Sequence, residues 1–143
     1  MAQKLTTTEI LAENAAGRNC GQVVMGCFSD ETGYDREETD RIGGSFGGGM
    51  HLAATCGALA GAICVIGMTS ENNDEATEKT FELARRFREK HGAFTCKELL
   101  GVDLTQPGEL DKARESGLIS SHCPYYMETA IELVTDILEN KKG

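Results

Sequence analysis

The chain has 143 residues and a formal net charge of −9, and 40% of its residues are hydrophobic. This length and composition predict a single domain over residues 1–143 with enough apolar groups to form a core. The excess of carboxylates argues against nucleic acids and anionic membranes as partners, because both repel negative charge.

Two segments determine the expected compartment. The N-terminal segment carries acidic side chains and no long apolar run, so a secretory signal is not predicted. The most apolar stretch, residues 53–68, is shorter than the roughly 20 residues that span a bilayer, and it is rich in Gly and Ala. We therefore expect a cytoplasmic protein without membrane insertion, in a compartment where structural disulfides are rare.

Helical periodicity recurs along the first half of the chain, and no segment alternates as a strand would. Asp35 is a typical N-cap residue, and Gly33 and a Gly-rich run over residues 43–49 interrupt the pattern. The predicted helices of this half cover residues 6–16, 20–28, 36–42 and 56–67.

The second half contains the clearest predicted helix, residues 73–91. It opens with acidic residues, closes with basic ones and is followed by Gly92, as the helix dipole and a glycine C-cap favour. A capping-box pattern at residues 95–98 predicts a short helix, and the two prolines, Pro107 and Pro124, each open another. The whole pattern predicts an all-α class, a compact helical bundle of about five longer and two short helices.

Four of the six cysteines lie where a helix is predicted to begin. Asn19, Thr55 and Thr95 are N-cap residue types directly before three of them, and Pro124 makes the fourth a cap itself. The four are Cys20, Cys56, Cys96 and Cys123. A helix N-terminus favours an anion, so this location is expected to lower the pKa of a thiol and favour redox or metal chemistry.

Each of these four thiols also lies on the apolar face of its own helix. For example, Cys20 is followed by Val23, Val24 and Phe28, and residues at such offsets share a face. The thiols should therefore point inward and meet if the helix starts meet. No CxxC motif is present, which excludes a thioredoxin-like motif, a zinc ribbon and a local ferredoxin run. Four inert core thiols are the alternative interpretation.

The other features suggest structural roles. Cys27 and Cys64 lie inside their helices, too far from Cys20 and Cys56 for a disulfide within one helix, and are interpreted as small core residues. The Gly-rich run lacks the residues of a phosphate-binding loop and is expected to allow tight turning. Gly57 and Gly61 share a face that favours close helix contact. His51 and His122 lie near cysteines in the sequence, but a surface or capping role is favoured for both.

Several strings resemble the C_GCAxxG_C_C family of redox-active proteins. Residues 56–61, Cys-Gly-Ala-Leu-Ala-Gly, are similar to its CGAxxG element, and the Gly-rich run is similar to the approach to it. Asn19-Cys20 with Gln22-Val23-Val24 resembles its NCxQAV motif, residues 96–101 resemble its CxELLG element, and Cys123-Pro124 resembles its final cysteine. The resemblance covers residues 5–140 and includes all four family cysteines, without Cys27 or Cys64.

The resemblance implies a redox role, an association with transporters, and for some relatives an iron–sulfur or other metal centre. Three hypotheses follow. Cys20, Cys56, Cys96 and Cys123 hold an iron–sulfur cluster or another thiophilic metal for electron transfer. Alternatively, two of the four cycle between dithiol and disulfide. In the third, the protein is a non-catalytic structural or regulatory partner, for example of a transporter. The redox partner is unknown, and the apolar helices can pack within one chain or across a homodimer.

Overall fold

A computed structural model describes residues 4–139. Within this part of the chain the fold is all-α, as predicted, and it contains no strands. The helices are α1 (Thr7–Ala15), α2 (Cys20–Gly26), α3 (Ser29–Thr32), α4 (Arg36–Ile42), α5 (Gly57–Thr69), α6 (Asn73–His91), α7 (Cys96–Leu100), α8 (Glu109–Glu115) and α9 (Leu118–Leu138). None of the helices in the described residues is both long and apolar enough to cross a lipid bilayer.

Helix starts with side-chain caps agree closely with the sequence. The side chains of Thr6, Asn19 and Asp35 each accept a hydrogen bond from the backbone three residues later, and the side chain there returns the contact. Such capping boxes satisfy amide groups that the first helical turn leaves without partners. Asn72 and Thr95 cap α6 and α7 with their side chains as well.

The last long helix begins earlier than predicted. The interpretation of Pro124 as its first-turn residue is wrong, because α9 starts at Leu118 and Pro124 lies inside it. Gly117, at φ +81, ends the preceding turn and lets the new helix begin. Pro124 cannot donate to the carbonyl of Ser120, but Ser120 is exposed, so water can satisfy that carbonyl.

Helix α5 lies at the centre of the core, with α2, α6 and α9 packed around it. The contact with α2 is a close approach between backbones. This agrees with the expectation from Gly57 and Gly61, which share one face of α5. A methyl group added at Gly61 would lie 2.8 Å from the carbonyl oxygen of Gly21. The small residues therefore set the distance between the two helices.

Replacing Gly61 with Ala is expected to destabilise the protein by about 2 kcal/mol, because the added methyl forces two backbones apart. Gly67, on the same helix, is the matched control, since a methyl there meets nothing within 4 Å. Gly67→Ala should be neutral or stabilising through helix propensity. Urea unfolding of both variants measures the difference; equal stabilities would show that the α2–α5 contact is not tight.

Candidate functional site

The four predicted site residues lie around one cavity of about 500 Å³. Cys20, Cys56, Cys96 and Cys123 all line it, although they belong to four separate segments of the chain. Cys56 and Cys96 are buried, with 6% and 9% of their surfaces exposed, whereas Cys20 and Cys123 are half-buried. The cavity therefore has two deeper thiols and two that solvent reaches more easily.

Cys20 is held at the first position of α2 by its neighbour Asn19. The Asn19 side chain accepts from the backbone N–H of Gln22 at 3.0 Å, and the Gln22 side chain accepts from the Asn19 N–H at 2.8 Å. The Asn19 amide also donates to the carbonyl of Gly43 at 2.8 Å. These bonds tie the start of α2 to the Gly-rich run and fix the position of Cys20.

Cys56 and Cys96 are placed side by side by a short backbone pairing. The N–H of Cys56 donates to Phe94, and the N–H of Cys96 donates to Ala54, both at 2.8 Å, around an isolated bridge between residues 55 and 95. Cys96 begins α7 as predicted. The prediction that Thr55 caps the other helix is wrong: Cys56 itself occupies the cap position, without a side-chain cap bond.

Cys123 lies inside α9, so the prediction that it caps a helix is wrong. It is nevertheless part of the surface that α9 turns toward the core, with Met127 and Ala130 following on the same face. Helix α9 packs directly against α2 and α5. This packing brings Cys123 to the cavity without a helix N-terminus.

The expected lowering of the thiol pKa values is wrong for three of the four cysteines. Burial raises the pKa of Cys56 to about 12, although the backbone amides of Leu59 and Ala58 oppose the shift. Burial also raises the pKa of Cys96 to about 12. The helix amides are too weak to compensate for the loss of water around a thiolate, so these thiols stay protonated at neutral pH.

Cys20 and Cys123 line the same cavity, and the ionisation of Cys20 depends on Cys123. Interaction with the Cys123 side chain, followed by burial, raises the pKa of Cys20 well above its ordinary value. A negative charge on Cys123 would raise it further.

The remaining two cysteines do not line the cavity. This agrees with their interpretation as small core residues, distinct from the other four. The Cys27 thiol is buried and donates to the carbonyl of Val23 at 3.4 Å, and burial raises its pKa to about 12. Cys64 is half-buried against the core, and burial raises its pKa as well.

Tyr126 is a cavity residue that sequence reasoning missed. Its hydroxyl donates to the carbonyl of Leu99 at 3.0 Å. Burial raises its pKa first, and negative charge on Cys123, Cys56 and Cys96 would raise it further. Because it follows Cys123 by three positions, its place on the same helix face was the signal that could have identified it.

The Gly-rich run forms a left-handed turn beside the cavity. Gly48 and Gly49 have φ values of +59 and +64, and Met50 and His51 continue at +61 and +59. A methyl at Gly49 would lie 2.5 Å from the backbone nitrogen of Ala54, so glycine is required there. The run turns the chain tightly, as expected. His51 and His122 are both exposed, and neither lines the four-cysteine cavity.

The fit to a metal is mixed. Thiolates are suitable ligands for iron–sulfur clusters and other thiophilic metals. Within residues 4–139, however, no group of three or more His, Cys, Asp or Glu side chains could hold a metal ion. The donor types therefore fit a metal centre, and their arrangement in the described residues does not.

A family model described as "Putative redox-active protein (C_GCAxxG_C_C)" matches residues 18–137. Comparisons with curated proteins and with solved structures found no match. The matched range includes all four cavity cysteines and most of the chain. The chain therefore belongs to the C_GCAxxG_C_C family of redox-active proteins.

Proposed function

We propose that this protein is a thiol–disulfide redox protein in which Cys20 and Cys123 cycle between two thiols and one disulfide. The observation that carries the proposal is that these two half-buried thiols line the same cavity. The Cys123 side chain is also the largest cause of the raised pKa of Cys20, which couples the two groups. Neighbouring sulfur atoms can form a disulfide after small side-chain movements, whereas distant ones need backbone movement. Both cysteines are free and partly accessible to solvent.

The raised pKa of Cys20 assigns a role to each sulfur. Cys20 is the member of the pair that keeps its proton more firmly than an ordinary thiol does. We therefore assign the first attack, on the disulfide of the oxidant, to Cys123. Cys20 then attacks the mixed disulfide and releases the second product thiol.

Oxidation of the purified protein with a small disulfide is expected to form one bond, between Cys20 and Cys123. Peptide mapping by mass spectrometry would identify the linked pair, and a reductant should reverse it. Cys64→Ser is the matched control, because Cys64 is also half-buried but lies outside the cavity. The proposal is wrong if all thiols stay free with small and peptide disulfides alike, or if the linked pair omits either cysteine.

A metal centre is the second candidate, and one observation favours it. Four soft donors line a single cavity of about 500 Å³, which is more space than a disulfide needs. Cys20, Cys56, Cys96 and Cys123 would be the ligands of an iron–sulfur cluster or another thiophilic metal, which would supply electron transfer. Metal and sulfide analysis of anaerobically purified protein tests this, and a colourless, metal-free protein would overturn the candidate as an iron site.

A structural or regulatory role, for example beside a transporter, is the remaining alternative. The high pKa values of Cys56 and Cys96 support it, because protonated buried thiols are unreactive. This role predicts a protein that binds no metal and forms no disulfide. It is overturned if either experiment above succeeds.

A further inference from the structure

Within residues 4–139, the charged residues that line the four-cysteine cavity are two arginines, Arg18 and Arg114, and no carboxylate of this range lines it. The chain as a whole carries 23 acidic and 14 basic residues. A random patch of this surface should therefore contain more acids than bases. The cavity reverses the sign of the protein's charge.

The two arginines differ in their pairing. Arg18 is bound to Glu13 at 3.3 Å and to Asp40 at 3.1 Å, so its charge is already compensated. Arg114, on α8, is exposed and has no ion pair within residues 4–139. It lines both the four-cysteine cavity and an adjoining cavity with His51, and the described part of the chain contributes no carboxylate to that second lining either. Of the two arginines, Arg114 is thus the one whose charge is available to a ligand.

The walls of the cavity are mostly apolar. Four helices, α1, α7, α8 and α9, and the segment after α7 contribute apolar side chains to them. These side chains are Leu11, Leu99, Leu100, Leu104, Leu110 and Ile119. A volume of about 500 Å³ lies within the range of small-molecule sites, and such sites combine apolar walls with a few polar anchors. The thiols lie inside this cavity, where a small ligand reaches them more easily than a folded protein does.

We infer that the oxidant of the Cys20–Cys123 pair is a small organic disulfide with a carboxylate group, held by Arg114 at the cavity. This inference rests on the proposed thiol–disulfide function. The apolar walls contact the carbon chain, and the guanidinium donates hydrogen bonds to the carboxylate in the paired geometry that arginine favours.

The exchange balances without another reactant. The Cys123 thiolate attacks one ligand sulfur, the ligand S–S bond breaks, and one small thiolate leaves. Cys20 then loses its proton and attacks the Cys123 sulfur of the mixed disulfide, which releases the second small thiolate. The protein loses two electrons and two protons, and both appear on the two small thiols.

A charge series of symmetrical disulfides tests the inference. The probes are dithiodipropionate, which is anionic, bis(2-hydroxyethyl) disulfide, which is neutral, and cystamine, which is cationic. Each rate of protein oxidation is divided by the rate with a neutral reference thiol, 2-mercaptoethanol. The net charge of −9 alone favours the cationic probe; the inference predicts that the anionic probe reacts fastest.

Arg114→Gln is expected to lower the ratio of anionic to cationic rates by about fivefold or more, because one unit charge near the ligand is removed. Lys112→Gln is the matched control: it makes the same charge change on the same helix, and Lys112 does not line the cavity. High salt should lower the wild-type ratio of anionic to cationic rates toward the ratio of Arg114→Gln, because salt screens the charge of Arg114.

The outcomes separate the two ideas. If neither the three probes nor a disulfide-bonded peptide forms the Cys20–Cys123 disulfide, the proposed function fails. If the disulfide forms but Arg114→Gln behaves as Lys112→Gln does, the carboxylate assignment fails and the proposed function stands. Reaction with a disulfide-bonded peptide but with none of the three probes overturns the small-molecule assignment in the same way.

Discussion

Replacing Cys123 with Ala is expected to abolish disulfide formation and, at the same time, to make Cys20 more reactive. The first effect follows because the proposed pair has lost one member. The second follows because interaction with the Cys123 side chain is the largest cause of the raised pKa of Cys20. Without that interaction, and without a negative charge nearby, Cys20 loses its proton more easily.

The size of the second effect can be bounded. Each unit by which the pKa of Cys20 falls gives about tenfold more thiolate at a fixed pH, while the thiolate becomes about threefold less nucleophilic. Alkylation of Cys20 should therefore accelerate by about threefold per unit. The measurement is the rate of iodoacetamide labelling at Cys20, followed by peptide mass spectrometry between pH 7 and 9.

Cys64→Ala is the control for this experiment, because it removes a half-buried thiol that does not touch the pair. It should leave both the disulfide and the Cys20 rate unchanged. An unchanged or slower rate at Cys20 in Cys123→Ala would show that Cys123 does not raise the pKa of Cys20. A new disulfide between Cys20 and Cys56 or Cys96 would show that exchange is not restricted to one pair.

The fold was largely predictable because helix starts depend on local chemistry. Asn19 and Asp35 satisfy the first amides of their helices with their own side chains, and the sequence contains everything that such a bond needs. Thr55 is also an N-cap residue type, but α5 begins one residue later than predicted and Cys56 is its cap. The backbone pairing between Thr55 and Thr95 joins positions forty residues apart, so it leaves no local signal in the sequence.

The sequence predicted which thiols lie at the cavity, but it did not predict their ionisation or their mutual contacts. Helical offsets placed Cys20 and Cys123 on inward faces, and the structure places both at the cavity. Their mutual contact depends on the packing of α2 against α9, which no spacing reveals. The direction in which the pKa of Cys56 shifts depends on how deeply the thiol is buried, since burial raises this pKa and the helix amides lower it.

The free energy of unfolding is expected to fall steeply at alkaline pH. Ionisation of the Cys27 thiol should contribute a measurable part of this fall. The folded protein raises the pKa of Cys27 from 9.0 to about 12. The unfolded chain therefore releases this proton first. The stabilising contribution is complete below about pH 9 and is lost as the pH rises toward 12. At pH 10.5 the loss is about 2 kcal/mol for this thiol, and Cys56 should lose a similar amount.

Cys27→Ala isolates this part of the fall. The variant should be less stable than the wild type at pH 8, because a buried side chain is shortened. The difference in the free energy of unfolding between the wild type and this variant should then shrink by about 2 kcal/mol between pH 8 and 10.5, since alanine has no proton to release. Urea unfolding with a phosphine reductant measures both. Val24→Ala, a buried truncation without a titrating group in α2, whose C-cap is Cys27, should keep the wild-type pH profile. A constant difference for Cys27→Ala would mean that the buried thiol ionises as easily in the folded protein as in the unfolded chain.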